Sequence, residues 1–230
     1  MDEIMRVLAP LGCAYVKAGG EWRRTIKPWP DAIDEWPQYC HGADNNAVAR
    51  DRVVGPPRHV QWTSGPEWSR SHMGIPSVTS MVSAKGRLFF IADLASAAEP
   101  LLPGRFCLVA RDAFNGIDLW RHEFRDWEPI TRFTKQMAVQ LQRRLAAIGD
   151  TVYCTPGLEA PLMAFDAATG QIRKIFEGTE RTQEFAVDRG VVFAVIGDRM
   201  NAAVYDVTKT EDGKGISLGG YDPMAPFLGA

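Results

Sequence analysis

The stretch AAIGDTVYCTPGLEAPLMAFDAATG, residues 146–170, decides the fold because its plan recurs along the chain. Residues 187–208, VDRGVVFAVIGDRMNAAVYDVT, repeat it, as do SAKGRLFFIAD (83–93) and FCLVARDAFNG (106–116) taken together. Each unit opens on a glycine-containing turn: Gly86, Gly149-Asp150 or Arg189-Gly190. A short apolar strand carrying Phe89-Phe90, Tyr153 or Phe193 follows. After a variable loop comes a second apolar strand that ends in Asp112, Asp166 or Asp206. Tyr153 and Phe193 are 40 residues apart, and so are Asp166 and Asp206. The step from Phe90 to Tyr153 is longer, at 63, because loops are inserted near Ala95–Gly104 and Trp127–Gln142.

A period of about 40 residues built from short strands is the pattern of a β-propeller blade. Helical pairs of the same period need apolar residues three and four apart. These units instead carry apolar runs such as Leu88–Ile91 and Cys107–Ala110, set between Gly, Asp and Pro. In Asp112-Ala-Phe-Asn-Gly116 and Asp166-Ala-Ala-Thr-Gly170, the Asp side chain can accept bonds from the turn backbone. The Gly can take the left-handed conformation that closes a hairpin. The sequence therefore predicts an all-β chain, a partial β-propeller of about three to four antiparallel four-stranded blades after a short irregular N-terminal segment. Blades are expected near residues 78–127, 143–178 and 184–218, with helix confined largely to the first ten residues.

The chain has 230 residues, enough to bury a sizeable core without disulfides or metals. Its 26 Lys and Arg against 28 Asp and Glu leave a formal charge of −2, which argues against a dedicated nucleic-acid binder. No apolar run reaches the roughly 18 residues of a membrane span. Met1-Asp2-Glu3-Ile4-Met5-Arg6 lacks the basic lead and apolar core of a signal peptide. The compartment is not readable. Cys13, Cys40, Cys107 and Cys154 fall singly, with no pairing at zinc spacing, and read as free thiols ahead of any disulfide or metal role.

The spacing Asp112, Gly116, Trp120 resembles the repeat of pyrroloquinoline-quinone-like propellers, the superfamily of quinoprotein dehydrogenases and of the outer-membrane assembly propeller. AFDAATGQIRKIFEG (164–178) is similar, with Lys174 standing where the Trp would be. Glu35-Trp-Pro-Gln-Tyr39 through Asp44-Asn-Asn46 is similar to the lead-in segment before a first blade, and Gln61-Trp62 to its opening strand. The resemblance covers roughly residues 34–218. Upstream, Glu3 to Val16 resembles the last helix, turn and strand of class I methyltransferases, although Leu11 replaces a glycine and the cofactor-binding loops of that fold are missing. The combination is similar to bacterial proteins, familiar from planctomycetes, that join a methyltransferase-like domain to such a propeller through a stretch like Lys27–Trp36. It implies a division into residues 1–33, a methyltransferase-like remnant and linker, and 34–230, the blades. It further implies that this chain is a piece of a longer protein, whose remaining blades and upstream domain would be its partners. As a fragment with open blade edges, the chain is expected to self-associate or to be poorly soluble.

Quinone-dependent oxidation needs a base and a Ca²⁺ held by carboxylate and amide oxygens. Asp112, Asp166 and Asp206 are explained as hairpin caps, Asn45-Asn46 as a turn, and Trp120 as packing between blades. No cofactor is expected, with pyrroloquinoline quinone and Ca²⁺ as the alternative. The densest polar and aromatic cluster is Trp62–His72, where Trp68, Arg70 and His72 alternate and would share one face of an extended segment, suited to an anion or a ring-shaped ligand. The competing reading is a structural segment. A Ser69–His72–Asp93 triad can be written without a nucleophile-elbow pattern behind it, and Arg121–Arg132 reads as a solvated loop. Two functions stay open: a non-catalytic binding or scaffold propeller, or part of a quinoprotein-like oxidoreductase whose cofactor residues lie in blades beyond this chain.

Overall fold

The structure is a computed structural model that describes residues 2–53, 55–56, 58–65, 78–96, 98, 104–124, 139–157, 159–197, 207–209 and 216–218. It is all-β, with propeller-type blades. The N-terminus is more regular than its sequence suggested. Helix α1 (Asp2–Val7) leads into a hairpin of β1 (Cys13–Ala18) and β2 (Glu21–Ile26). Gly19 and Gly20, at φ +61° and +87°, make the tight turn between them.

The first blade is a four-stranded antiparallel meander of β3 (Val78–Ala84), β4 (Arg87–Asp93), β5 (Phe106–Asp112) and β6 (Asp118–Glu123). The second repeats it after a single helical turn, α2 (Val139–Gln142), as β7 (Leu145–Ile148), β8 (Thr151–Cys154), β9 (Leu162–Asp166) and β10 (Ile172–Phe176). Helix α2 is a second helical piece that the sequence did not announce. Strands β4 and β5 are buried on both faces, so their apolar residues run on without alternation, whereas β6 and β10 are largely solvated outer strands.

The third unit shows four strands in two pairs among the described residues. Strands β11 (Thr182–Asp188) and β12 (Val191–Ile196) pair as one two-stranded sheet, and β13 (Val207–Lys209) and β14 (Ile216–Leu218) as another. Strand β7 lies beside both β3 and β11, so the first strands of the three units are the inner ones, as in a propeller. Between the first two blades sits the main core of Phe89, Ile91, Leu108, Leu145, Val152 and Phe165, all fully buried. A smaller cluster of Ala146, Leu162, Phe185 and Val187 joins the second blade to the third.

The Asp-to-Gly turns form as expected. Asp112 Oδ1 accepts from the Phe114 and Asn115 amides at 2.8 and 3.0 Å, and Asp166 Oδ1 from those of Ala168 and Thr169 at 2.9 and 2.8 Å. Asp206 lies outside the described residues. Trp120 crosses to the next blade: its indole N–H donates to the Ala167 carbonyl at 3.1 Å, and its ring lies on Gly170, where a Cβ would sit 2.6 Å from Cδ2. Trp62 treats the first blade identically, donating to the Ala113 carbonyl at 2.9 Å with its ring on Gly116. The expected opening strand at Gln61-Trp62 is therefore corrected: the segment is not a strand, and it docks through this ring.

Candidate functional site

The lead-in segment is a strap across the inner strands. The Trp36 amide donates to Ser83 Oγ and the Ser83 amide to the Trp36 carbonyl, both at 2.8 Å. Next, the Ala147 amide donates to the Pro37 carbonyl at 2.8 Å. The buried Gln38 side chain then imitates a peptide unit, with Nε2 donating to the Val187 carbonyl at 3.0 Å and Oε1 accepting from the Val187 amide at 2.8 Å. Three consecutive residues thus bond to β3, β7 and β11 in turn. The Glu35 carboxylate accepts from the Lys85 amide at the same end of β3.

A loop of left-handed residues anchors the strap. His41, Asn45 and Ala47 have φ of +70°, +55° and +50°. Asp34 Oδ2 accepts from the Arg50 amide at 2.6 Å and lies 2.7 Å from His41 Nε2, while the Trp36 ring meets His41 edge-on at 5.4 Å. Burial pushes the Asp34 carboxyl up, but the Arg50 and Glu35 amides and His41 more than offset it and hold it below its ordinary range.

Tyr39, next along, lines two cavities. One of about 210 Å³ is lined by Tyr39, Cys40, Asn45, Arg143, Glu184 and Phe193. The other, about 280 Å³, lies between Tyr39, Thr79, Ser80, Met81 and Gln142. The Arg143 guanidinium sits 5.3 Å from the Tyr39 ring centre and pairs with the Glu184 carboxylate, the one carboxylate among these lining residues. Ser80 Oγ donates to the Gln142 carbonyl at 3.2 Å. This mouth therefore offers an aromatic ring, amide and hydroxyl groups, and an ion pair whose charges cancel. Such a surface suits an uncharged or zwitterionic ligand better than a metal ion or a polyanion.

Sequence reasoning placed its site elsewhere. Trp68, Arg70 and His72 lie outside the described residues, as does Ser69. Asp93 is occupied in capping the loop after β4, with Oδ1 accepting from the Ala95 and Arg105 amides at 2.9 and 2.8 Å. Asp44 Oδ1 accepts from the Asn46 amide at 3.3 Å, in keeping with a turn at Asn45-Asn46. All four cysteines are free, and burial pushes the Cys107 and Cys154 thiols up, which makes them poor nucleophiles. No group of three or more His, Cys, Asp or Glu that could hold a metal occurs among the described residues. No helix among them is long and apolar enough to cross a membrane. Tyr39, Gln38, Arg143 and Glu184 escaped sequence reasoning; the only signal was the lead-in resemblance at Glu35–Tyr39. No family model and no curated protein matches this sequence.

Proposed function

We propose that this chain is a non-catalytic β-propeller module of the quinoprotein-like kind, a binding or scaffold element rather than an oxidoreductase. What carries the reading is the strap. Residues 36–38 bond to all three inner strands and bring Tyr39 to where it lines both modest cavities found beside them among the described residues. A planar tricyclic cofactor with its cation needs a stacking slot and several free oxygen ligands. Around Tyr39, by contrast, the lining carboxylate is already paired with Arg143.

The test is direct. The protein is incubated with pyrroloquinoline quinone and CaCl₂, gel-filtered, and assayed for co-eluting cofactor absorbance and for dye-linked alcohol oxidation. Neither is expected. Stoichiometric co-elution with dye reduction would overturn the proposal and favour the oxidoreductase.

A further inference from the structure

The ion pair in the smaller cavity is made by one arm of each partner. Arg143 Nη1 donates to Glu184 Oε2, which leaves the Nε–Nη2 edge of the guanidinium and Glu184 Oε1 without a partner among the described residues. Arg143 Nε is moreover buried, and a buried donor with no acceptor is costly and calls for an explanation. The guanidinium is held from two sides, by Glu184 on β11 and by the Tyr39 ring, whose centre lies 5.3 Å from its central carbon. An Nε–Nη2 edge presents two parallel N–H groups that match the two oxygens of a carboxylate. In the same pair, Glu184 Oε1 offers a charged acceptor to an ammonium. A carboxylate alone would meet Glu184 and an amine alone Arg143, each a like charge at close range. A ligand with both groups on one carbon adds charges of alternating sign, keeps the Arg143–Glu184 bond and leaves the sum at zero.

The other walls select size and side chain. At about 210 Å³ the cavity is smaller than the roughly 300–1,000 Å³ of sites for drug-sized ligands. Phe193 and Val195, two apart on β12 and so on one side of it, are apolar walls of this cavity. Asn45, in the left-handed loop of the strap, also lines it. We propose that this cavity binds one free α-amino acid with an apolar side chain. Its carboxylate lies on the Nε–Nη2 edge of Arg143, its ammonium on Glu184 Oε1 with the Asn45 amide as a second acceptor, and its side chain against Phe193 and Val195. A peptide holds its two terminal charges on different residues and does not match both groups at once. The proposal deepens the reading of the chain as a binding module and rests on it.

Titration calorimetry of the full chain with L-leucine should give saturable binding of one equivalent. 4-Methylpentanoate, which lacks the ammonium, and 3-methylbutylamine, which lacks the carboxylate, should each bind at least about tenfold more weakly. D-Glucose, an uncharged probe, should not bind. Arg143→Lys keeps a cation for Glu184 but removes the fork, and should weaken leucine binding by more than about tenfold with unchanged circular dichroism. Phe193→Ala, independently, should weaken leucine more than it weakens L-alanine, whose side chain is too short to use that wall. No leucine binding, equal binding of the acid or the amine alone, glucose binding in place of leucine, or a leucine affinity indifferent to both substitutions would overturn the proposal. Co-elution of the quinone would overturn the module reading itself, whereas absent leucine binding with no quinone retained overturns this proposal alone.

Discussion

Replacing Gly170 by Ala tests whether the Trp-on-Gly contact holds the first two blades together. Gly170 meets two demands at once. Its φ of +73° costs a side-chain-bearing residue roughly 1–2 kcal/mol, and a Cβ there would lie 2.6 Å from the Trp120 ring. Shifting that ring disturbs its bond to Ala167 and its packing on Phe89 and Phe165, at centroid distances of 6.0 and 6.4 Å. Overpacking of this kind adds about 1–3 kcal/mol. Gly170→Ala should therefore cost about 2–5 kcal/mol in the native chain. Once Trp120→Ala has removed the ring, itself a loss of about 3–5 kcal/mol, only the backbone cost of roughly 1–2 remains. Urea unfolding of the four proteins of this cycle, followed by far-ultraviolet circular dichroism, should give a coupling of about 1–3 kcal/mol. If Gly170→Ala costs the same in both backgrounds, within about 0.5 kcal/mol, the ring does not use the glycine and the reasoning fails.

Two further outcomes follow from the same contacts. Gln38→Leu orphans the Val187 amide and carbonyl at a cost of about 1–3 kcal/mol for each buried group, and should speed hydrogen exchange at Val187 and its β11 neighbours before the first blade is affected. Asp166 is held at about 2, first by the Thr169 hydroxyl and amide and then by Arg173; a carboxyl lowered from 3.8 in this way stabilises the fold above its unfolded value and loses that contribution as pH falls from about 4 to about 2, so Asp166→Asn should flatten the acid limb of a melting-temperature profile.

The blades were legible because a blade is made locally. Turn, strand, turn and strand follow one another within about 40 residues, so Gly149-Asp150, Tyr153 and Asp166 could be read in order and fall on the β7–β8 turn, β8 and β9. The β1–β2 hairpin was equally local. Its Gly19-Gly20 turn sits between alternating residues, yet the resemblance drawn at Glu3–Val16 led to a remnant with a linker. What a single repeat cannot display is the contact between repeats. Trp120 does pack between blades as read, but its seat was not legible: Trp120 serves Gly170 of the next unit, and Gly116 receives Trp62. The site was less legible still. Gln38 and Val187 are separated by 149 positions, and nothing in Glu35-Trp-Pro-Gln-Tyr39 marks a glutamine that replaces a peptide unit. The alternation of Trp68, Arg70 and His72 drew notice because it was local.

The repeat also shows why the strap reaches as far as β11. Trp62 and Trp120 tie the first and second blades to the segments before them, each by an indole bond and a glycine seat. At the next junction both halves of the device are gone from the sequence. Lys174 stands where the tryptophan would be, with Nζ over the Phe176 ring at 4.7 Å, and Thr210 stands 40 residues after Gly170. A lysine on a solvated outer strand contributes little to holding two sheets together. The third unit is held instead by Gln38 on Val187 and Arg143 on Glu184 at the inner side, and by the cluster around Phe185 between the sheets. The first two lie beside the cavities that Tyr39 lines, while the cluster runs outward to Phe176 on β10. At the second junction, then, the strap and the Phe185 cluster stand in for the tryptophan and its glycine seat, and the inner strands of all three units are tied through residues 36–38.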